Sequence, residues 1–415
     1  MAPAVEPAHI PRMRQSGGVV KRGVSVAVLL GIVVTVGVVA SPAGAAERTA
    51  RVVSTSGVLH ADVADYRRSA WWRTGMPRGI NGSWRTAIDT VIGQIASERP
   101  DAVLHTGDMV EGRWGVDIDD VGVFGAVDTF TRQKRGVRRA ANLYYTQAKE
   151  HWARHGLSPL YAIGDHEVGD VGRSGEITTS DFRYRGLSAW RYSWAKHFTG
   201  NGTRFDRHPP SGQQRNTAYA TVLGGGNVGL VTLDPIAKWH DGTHVRISGV
   251  QLRWLDETLA EFTDRGVEHL IVQCEVPALG PNREFGTSSL ELENADDVWD
   301  VLVAHDVDLL LSGEFHDMTT HTNGGAAPVQ VVHGGTMRHA RANYLVIDVF
   351  DDGHIELALK RMSAEVTGTG RIWAPGHVRA WNKLQMTSGA EVVGTMRIGP
   401  RGAVTDRSGF LEEGV

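Results

Sequence analysis

The chain of 415 residues contains a single cysteine, Cys274. One thiol makes no internal disulfide, and a chain of this length can bury enough core to need none. Cys274 therefore reads as a small buried apolar side chain. Charge of one sign is also missing, since the formal net charge is −4. That balance offers no basic field for nucleic acid and no acidic tail. Long apolar runs are scarce. Only the uncharged run from Gly23 to Ala40 approaches the length that spans a bilayer. A membrane contact is expected through that segment alone, and no nucleic-acid partner.

Arg12, Arg14, Lys21 and Arg22 precede the apolar run, and the small residues Ala43 and Ala45 follow it. A positive start, an apolar middle and an A-x-A end describe a secretory signal peptide over residues 1–45. The alternative is an uncleaved anchor. Either places the rest of the chain outside the cytoplasm, secreted or in the cell envelope.

The remainder is 41% apolar and 22% charged by whole-chain composition, as in a folded domain. Several segments repeat one order: amphipathic helix, short turn, apolar strand, polar residues with glycine. In "SWRTAIDTVIGQIASERPDAVLHTGD", Trp84, Ile88, Val91, Ile92 and Ile95 share a helical face. "AVLH" is then a strand, and Gly107 and Asp108 follow it. "GVQLRWLDETLAEFTDRGVEHLIVQCEVP" and "NADDVWDVLVAHDVDLLLSGEFHD" repeat the order, with Asn294 placed to cap the second helix. "RVVST" and "LSPLYAI" are further strands that end in polar residues. These are α/β units, in which ligands sit beyond the carboxyl ends of the strands. The polar turns can therefore converge on one crevice. "ANYLVIDVF" and "HIELALKRM", joined by Asp-Asp-Gly, read as a hairpin completing a sheet. A domain over 50–362 is expected, with long insertions at 112–157 and 168–225. Residues 363–415 read as a C-terminal extension, either irregular strands or loose chain.

Gly107-Asp108, Gly164-Asp165-His166-Glu167, Glu275-Val276-Pro277 and Gly313-Glu314-Phe315-His316 stand in this order at strand ends. Together they resemble the calcineurin-like metallophosphoesterase superfamily, whose motifs are D-x-H, G-D, G-N-H-E/D, a lone His and G-H-x-H. The resemblance implies an α/β fold, a four-layer sandwich of two mixed β-sheets flanked by helices. It implies a small phosphate-ester substrate and two divalent metal ions, drawn from Mn, Mg, Ca, Fe or Zn. Asp108 matches the carboxylate that bridges the metals. Asp165 stands at the place of the ligand Asn, and His316 keeps the identity of the second His. His166 matches the residue that contacts phosphate and protonates the leaving oxygen, for which an imidazole has a suitable pKa.

The departures are specific. Glu275 replaces the lone His, and Glu314 replaces the first His of G-H-x-H. Both belong to one metal in the family. That site becomes all-carboxylate, with Asp108, Asp165, Glu275 and Glu314, and oxygen ligands favour hard cations over Zn²⁺. No Asp occupies the first motif; His60 and Asp62 in "SGVLHAD" carry its ligand types in reversed order. Arg113 follows the Asp108 motif and could hold the phosphate; Arg173, Arg183, Arg185 and Arg191 are further candidates. The expectation is a secreted metal-dependent phosphoric-ester hydrolase. The alternative is a catalytically degenerate binding protein of the same fold at the cell surface.

Overall fold

The computed structural model describes residues 46–57, 82–112, 114–116, 122–170, 177–281, 290–315, 318–334, 341–367 and 383–412. All of them belong to one compact unit, Ala46–Val415. The expected signal segment lies outside the described residues. Among the described residues, no helix is long and apolar enough to cross a membrane.

Two mixed sheets form the centre. In the first, β1 (Arg48–Thr55), β2 (Ala102–His105) and β3 (Leu160–Tyr161) run parallel. The antiparallel strands β12 (Arg341–Phe350), β13 (Ile355–Thr367), β15 (Glu391–Ile398) and β16 (Val404–Gly409) continue it, and β14 (Lys383–Met386) pairs with β13. The second sheet has the order β10 (Met318–Asn323), β11 (Ala326–His333), β9 (Leu309–Ser312), β8 (His269–Gln273), β5 (Val228–Thr232) and β4 (Tyr219–Leu223). Its four inner strands are parallel. A separate ribbon joins β6 (Ile236–Lys238) to β7 (Thr243–Val245).

Successive residues of a strand face opposite sides, and both sides are buried here. Leu345, Ile347 and Val349 of β12 pack with Leu309, Leu311, Val329 and Val331 of the other sheet. The intervening Tyr344 and Val346 join a different core with helical residues. Among the described residues, five α-helices flank the sheets: α1 (Gly82–Ser97), α2 (Phe130–Ala153), α3 (Phe182–Phe198), α4 (Val250–Asp264) and α5 (Ala295–Ala304). The expected face of α1 is buried throughout, from Trp84 to Ile95.

Three local expectations change. Asn294 precedes α5 without a side-chain cap, because its amide instead exchanges hydrogen bonds with the Ile247 backbone. β5 was not anticipated; it enters through "VGLVT", a short apolar run without a helix before it. The C-terminal extension, read as irregular strands or loose chain, adds β14, β15 and β16 to the first sheet as regularly paired strands. Met396, Ile398 and Leu411 sit in the core between the sheets. Glycines and charged residues around them hide that alternation in the sequence.

Candidate metal centre

The parallel strands of both sheets end at one edge. The turn after β2 carries Gly107 at φ +124° and Asp108 at φ +57°. A left-handed conformation is costly for most residues, though Asp tolerates it better than most. The turn after β3 carries Gly164 and Asp165, and Glu275 follows β8. A Cβ on Gly107 would lie 2.6 Å from Glu275 Cγ, and one on Gly164 would lie 2.3 Å from Asp108 Oδ1. Both positions must lack a side chain for the turns of one sheet to close on Glu275 of the other. Gly313, after β9, meets Thr106 and Ser56 in the same way.

Glu167 locks the two turns together. Its buried carboxylate accepts from the backbone N–H of Gly164 at 2.7 Å, of Asp108 at 2.8 Å and of Met109 at 2.8 Å, with Val110 at 3.4 Å. Burial pushes its pKa up to about 7, against the pull of these donors.

One oxygen from each of Asp108, Asp165, Glu275 and Glu314 lies within 4.8 Å of the others. Three of these residues are buried and Glu314 forms the rim. Among the described residues, neither oxygen of Glu275 has a hydrogen-bond donor, and Asp165 Oδ1 has none. Among the described residues, Glu314 accepts from the Leu290 N–H, at 3.1 Å. Two negative charges at this spacing repel by about 3 kcal/mol even at an effective dielectric near 20. Burial first, and then the neighbouring carboxylates, raise Asp108 and Glu275 well above the usual range. The same causes push Glu314 up to about 8. Orphaned buried oxygens facing one another suit a cation, and an all-oxygen donor set suits a hard one. The residues present therefore fit a divalent metal ion.

His166 borders the cluster. Its Nδ1 lies 2.8 Å from the Glu111 carbonyl, to which an Nδ1–H donates, and its backbone N–H donates to Asp108 Oδ1 at 3.4 Å. Burial disfavours its charged form, but Asp165, Asp108, Asp170 and Glu111 outweigh that and raise its pKa well above 6.5.

These shifts predict how the cation-free protein responds to pH. A carboxyl raised from 4.5 to about 8 keeps, in the folded state, a proton that the unfolded chain releases. The contribution of this carboxyl is lost between about pH 4.5 and about 8; above 6.5, where the lowered histidines His197 and His333 no longer offset it, folding stability should fall as pH rises to about 8, and His166 acts in the same sense. This window lies above the titration of His197 and His333, both held down to about 4 by burial. In EDTA the thermal midpoint should drop across the window, and a saturating hard cation should remove the drop. A midpoint that rises with pH in EDTA would contradict the clustering of uncompensated carboxylates.

The other anticipated residues are placed as follows. His60, Asp62, Arg113 and His316 lie outside the described residues, as does Arg173. His333, the last residue of β11 and not among those anticipated above, is buried with Nε2 2.8 Å from Ser54 Oγ and is not part of the carboxylate cluster. Arg191 does not reach toward phosphate. It forms a buried, two-pronged ion pair with Asp234, at 2.9 and 3.1 Å. Arg183 is bound to Asp181 and the Asp170 carbonyl. Arg185 lies over the Phe130 ring at 4.9 Å. Sequence reasoning missed Asp234, which follows the unanticipated β5. The run "VGLVTLDP" carries its signal, an apolar strand ended by Asp-Pro.

A family model of calcineurin-like phosphoesterases matches residues 80–318. No curated protein matches the sequence. Among solved structures, that of PhoD is similar with a TM-score of 0.51 at 11% identity, covering 89% of this chain and 73% of PhoD. A dimetal phosphatase from Danio rerio gives 0.45 at 15% identity, covering 82% of this chain and 99% of its own. The calcineurin-like phosphoesterase YfkN from Bacillus subtilis gives 0.39 at 14% identity, with 86% and 93% covered.

Proposed function

The chain belongs to the calcineurin-like phosphoesterase family, and we propose that it is a metal-dependent phosphoric-ester hydrolase acting on small phosphate esters. The observation that carries this reading is the buried cluster of Asp108, Asp165, Glu275 and Glu314, all inside the matched residues. These four would hold one hard divalent cation. Asp108 would be shared with a second, whose other ligands would come from His316 and from His60 or Asp62. Bound divalent cations neutralise phosphate oxygens and lower the pKa of water. His166 would hold a proton at Nε2 for the leaving oxygen, because Glu111 fixes the opposite nitrogen. Arg113 would contact the phosphate. Residues 1–45 would direct the chain to secretion or the cell envelope, on the motif of positive start, apolar run and Ala43-Gly44-Ala45.

One observation favours a second reading, a binding protein without turnover. Strand β1 runs into Ser54, Thr55 and Ser56, hydroxyls where the family carries its first Asp. Metal content of the purified protein, with assays on p-nitrophenyl phosphate and bis-p-nitrophenyl phosphate, tests the choice. Hydrolysis supported by Mn²⁺, Mg²⁺ or Ca²⁺ better than by Zn²⁺ is expected. Tight cation binding with no turnover under any metal would establish the second reading. His166→Ala should lower turnover by about 10²- to 10⁴-fold, the range for a lost general acid. Its cation affinity should change little; a parallel fall in affinity would make His166 a ligand instead.

A further inference from the structure

Helix α2 begins with an unbalanced charge. Between Phe130 and Arg139 it carries Arg132, Lys134, Arg135, Arg138 and Arg139 and no acidic residue. The buried side of this stretch is Gln133, Gly136, Val137 and Ala140, so the cations occupy the face turned to solvent. The amino end of a helix is the positive end of its dipole, where cations are unfavourable and acids are preferred. The helix dipole therefore does not favour Arg132, which lies in the first turn. Net charge does not explain the run of cations, because the whole chain is at −4.

Arg132, Arg135 and Arg139 share one side of the helix and, with Ala126, line an open cleft of about 270 Å³. Arg139 is held in place, since its Nη1 donates to the Phe124 carbonyl at 2.9 Å. A Cβ on Gly125 would lie 2.4 Å from that Nη1, so a glycine is what leaves room for it. Arg132 pairs with Asp128, but the two side chains are 51% and 60% exposed, and such surface pairs yield readily. Arg135 has no ion pair among the described residues. Lys134 and Arg138 rest over Phe130 and Tyr192 rather than on acids. The cleft is small for a whole drug-sized ligand and ample for one phosphate group. Guanidinium forks match phosphate oxygens in pairs.

We propose that this arginine face of α2 is a second anion-binding site, taking phosphate groups of a linked polyphosphate chain outside the metal centre. Binding there does not depend on turnover at the metal centre, so each can fail without the other. Binding of long-chain inorganic polyphosphate to the full chain, measured against salt concentration, tests it. The wild-type protein should bind, with affinity falling steeply as salt rises. Arg132→Gln with Arg135→Gln should weaken binding at least tenfold and flatten the log–log salt slope by about 0.7 per lost contact. Arg265→Gln, on an exposed site elsewhere, should leave binding unchanged. Hydrolysis of p-nitrophenyl phosphate, where present, should be the same in all three proteins. The proposal is overturned if wild-type protein shows no binding at low salt, or if the double variant binds within twofold of it. Equal weakening by Arg265→Gln overturns it as non-specific attraction. Binding to vesicles containing phosphatidylglycerol without binding to polyphosphate overturns it in favour of a membrane surface.

Discussion

Asp108→Ala is expected to remove cation binding at the carboxylate cluster and to lower phosphoesterase turnover by about a thousandfold or more, as loss of a metal would. The argument rests on where Asp108 stands. It belongs both to the four-carboxylate group and to the group it forms with Asp165 and His166. Its backbone is held at φ +57° by the grip of Glu167 on its N–H. No neighbouring side chain can take its place, because Gly107 and Gly164 are bare and their Cβ positions are blocked. Calorimetric titration with Mn²⁺ and Ca²⁺, run beside the hydrolysis assay, reads both effects. In the cation-free variant two effects oppose: alanine relieves repulsion among the remaining carboxylates but is strained at φ +57°. Retained turnover with unchanged cation stoichiometry would mean that chemistry takes place at a different crevice.

Glu167→Ala is expected to destabilise the fold by about 3 kcal/mol or more, the largest effect on stability anticipated here. The substitution strips acceptors from the buried N–H groups of Gly164, Asp108 and Met109, and from the longer contact to Val110. Each buried donor left without a partner costs about 1–3 kcal/mol. The loss should be read by urea denaturation in saturating cation, so that bound metal is equal in the two proteins. Glu167→Gln keeps the size but turns half of the acceptor into a donor, and should recover only part of the loss. Turnover should fall in both variants, because the turns that carry Asp108 and Asp165 lose their common anchor. A change below about 0.5 kcal/mol, the scale of an ordinary surface substitution, would remove Glu167 from this role.

The candidate site was legible in proportion to how local its signals are. Asp108, Asp165, Glu275 and Glu314 each follow an apolar strand within a few residues, and the end of a strand can be read from a short window. Glu167 stood out only as the last residue of the Gly164-Asp165-His166-Glu167 turn. Beyond Gly164, its partners Asp108 and Met109 lie 59 and 58 residues away, and nothing near it in the chain announces them. Arg191 looked like a candidate phosphate clamp for the same reason. Its acid, Asp234, is 43 residues distant, behind a strand too short to be seen by periodicity. The late strands were obscured differently. Met396 and Ile398 alternate correctly, but Gly394 and the charged residues around them weaken the pattern below what a lone sequence reveals.

What the sequence by itself determined is the alternation of helix and strand, the residues at the strand ends and their acidic character. Those follow from local hydrophobic periodicity and from residue identity. The tertiary structure alone decided that four carboxylates of two different sheets face one another within 4.8 Å. It also decided that Glu275 keeps two oxygens without donors, and that the arginines of α3 are engaged elsewhere. The physical reason is packing between sheets. Bare glycines at 107 and 164 let the turns close, and the resulting distances fix the electrostatics that call for a cation.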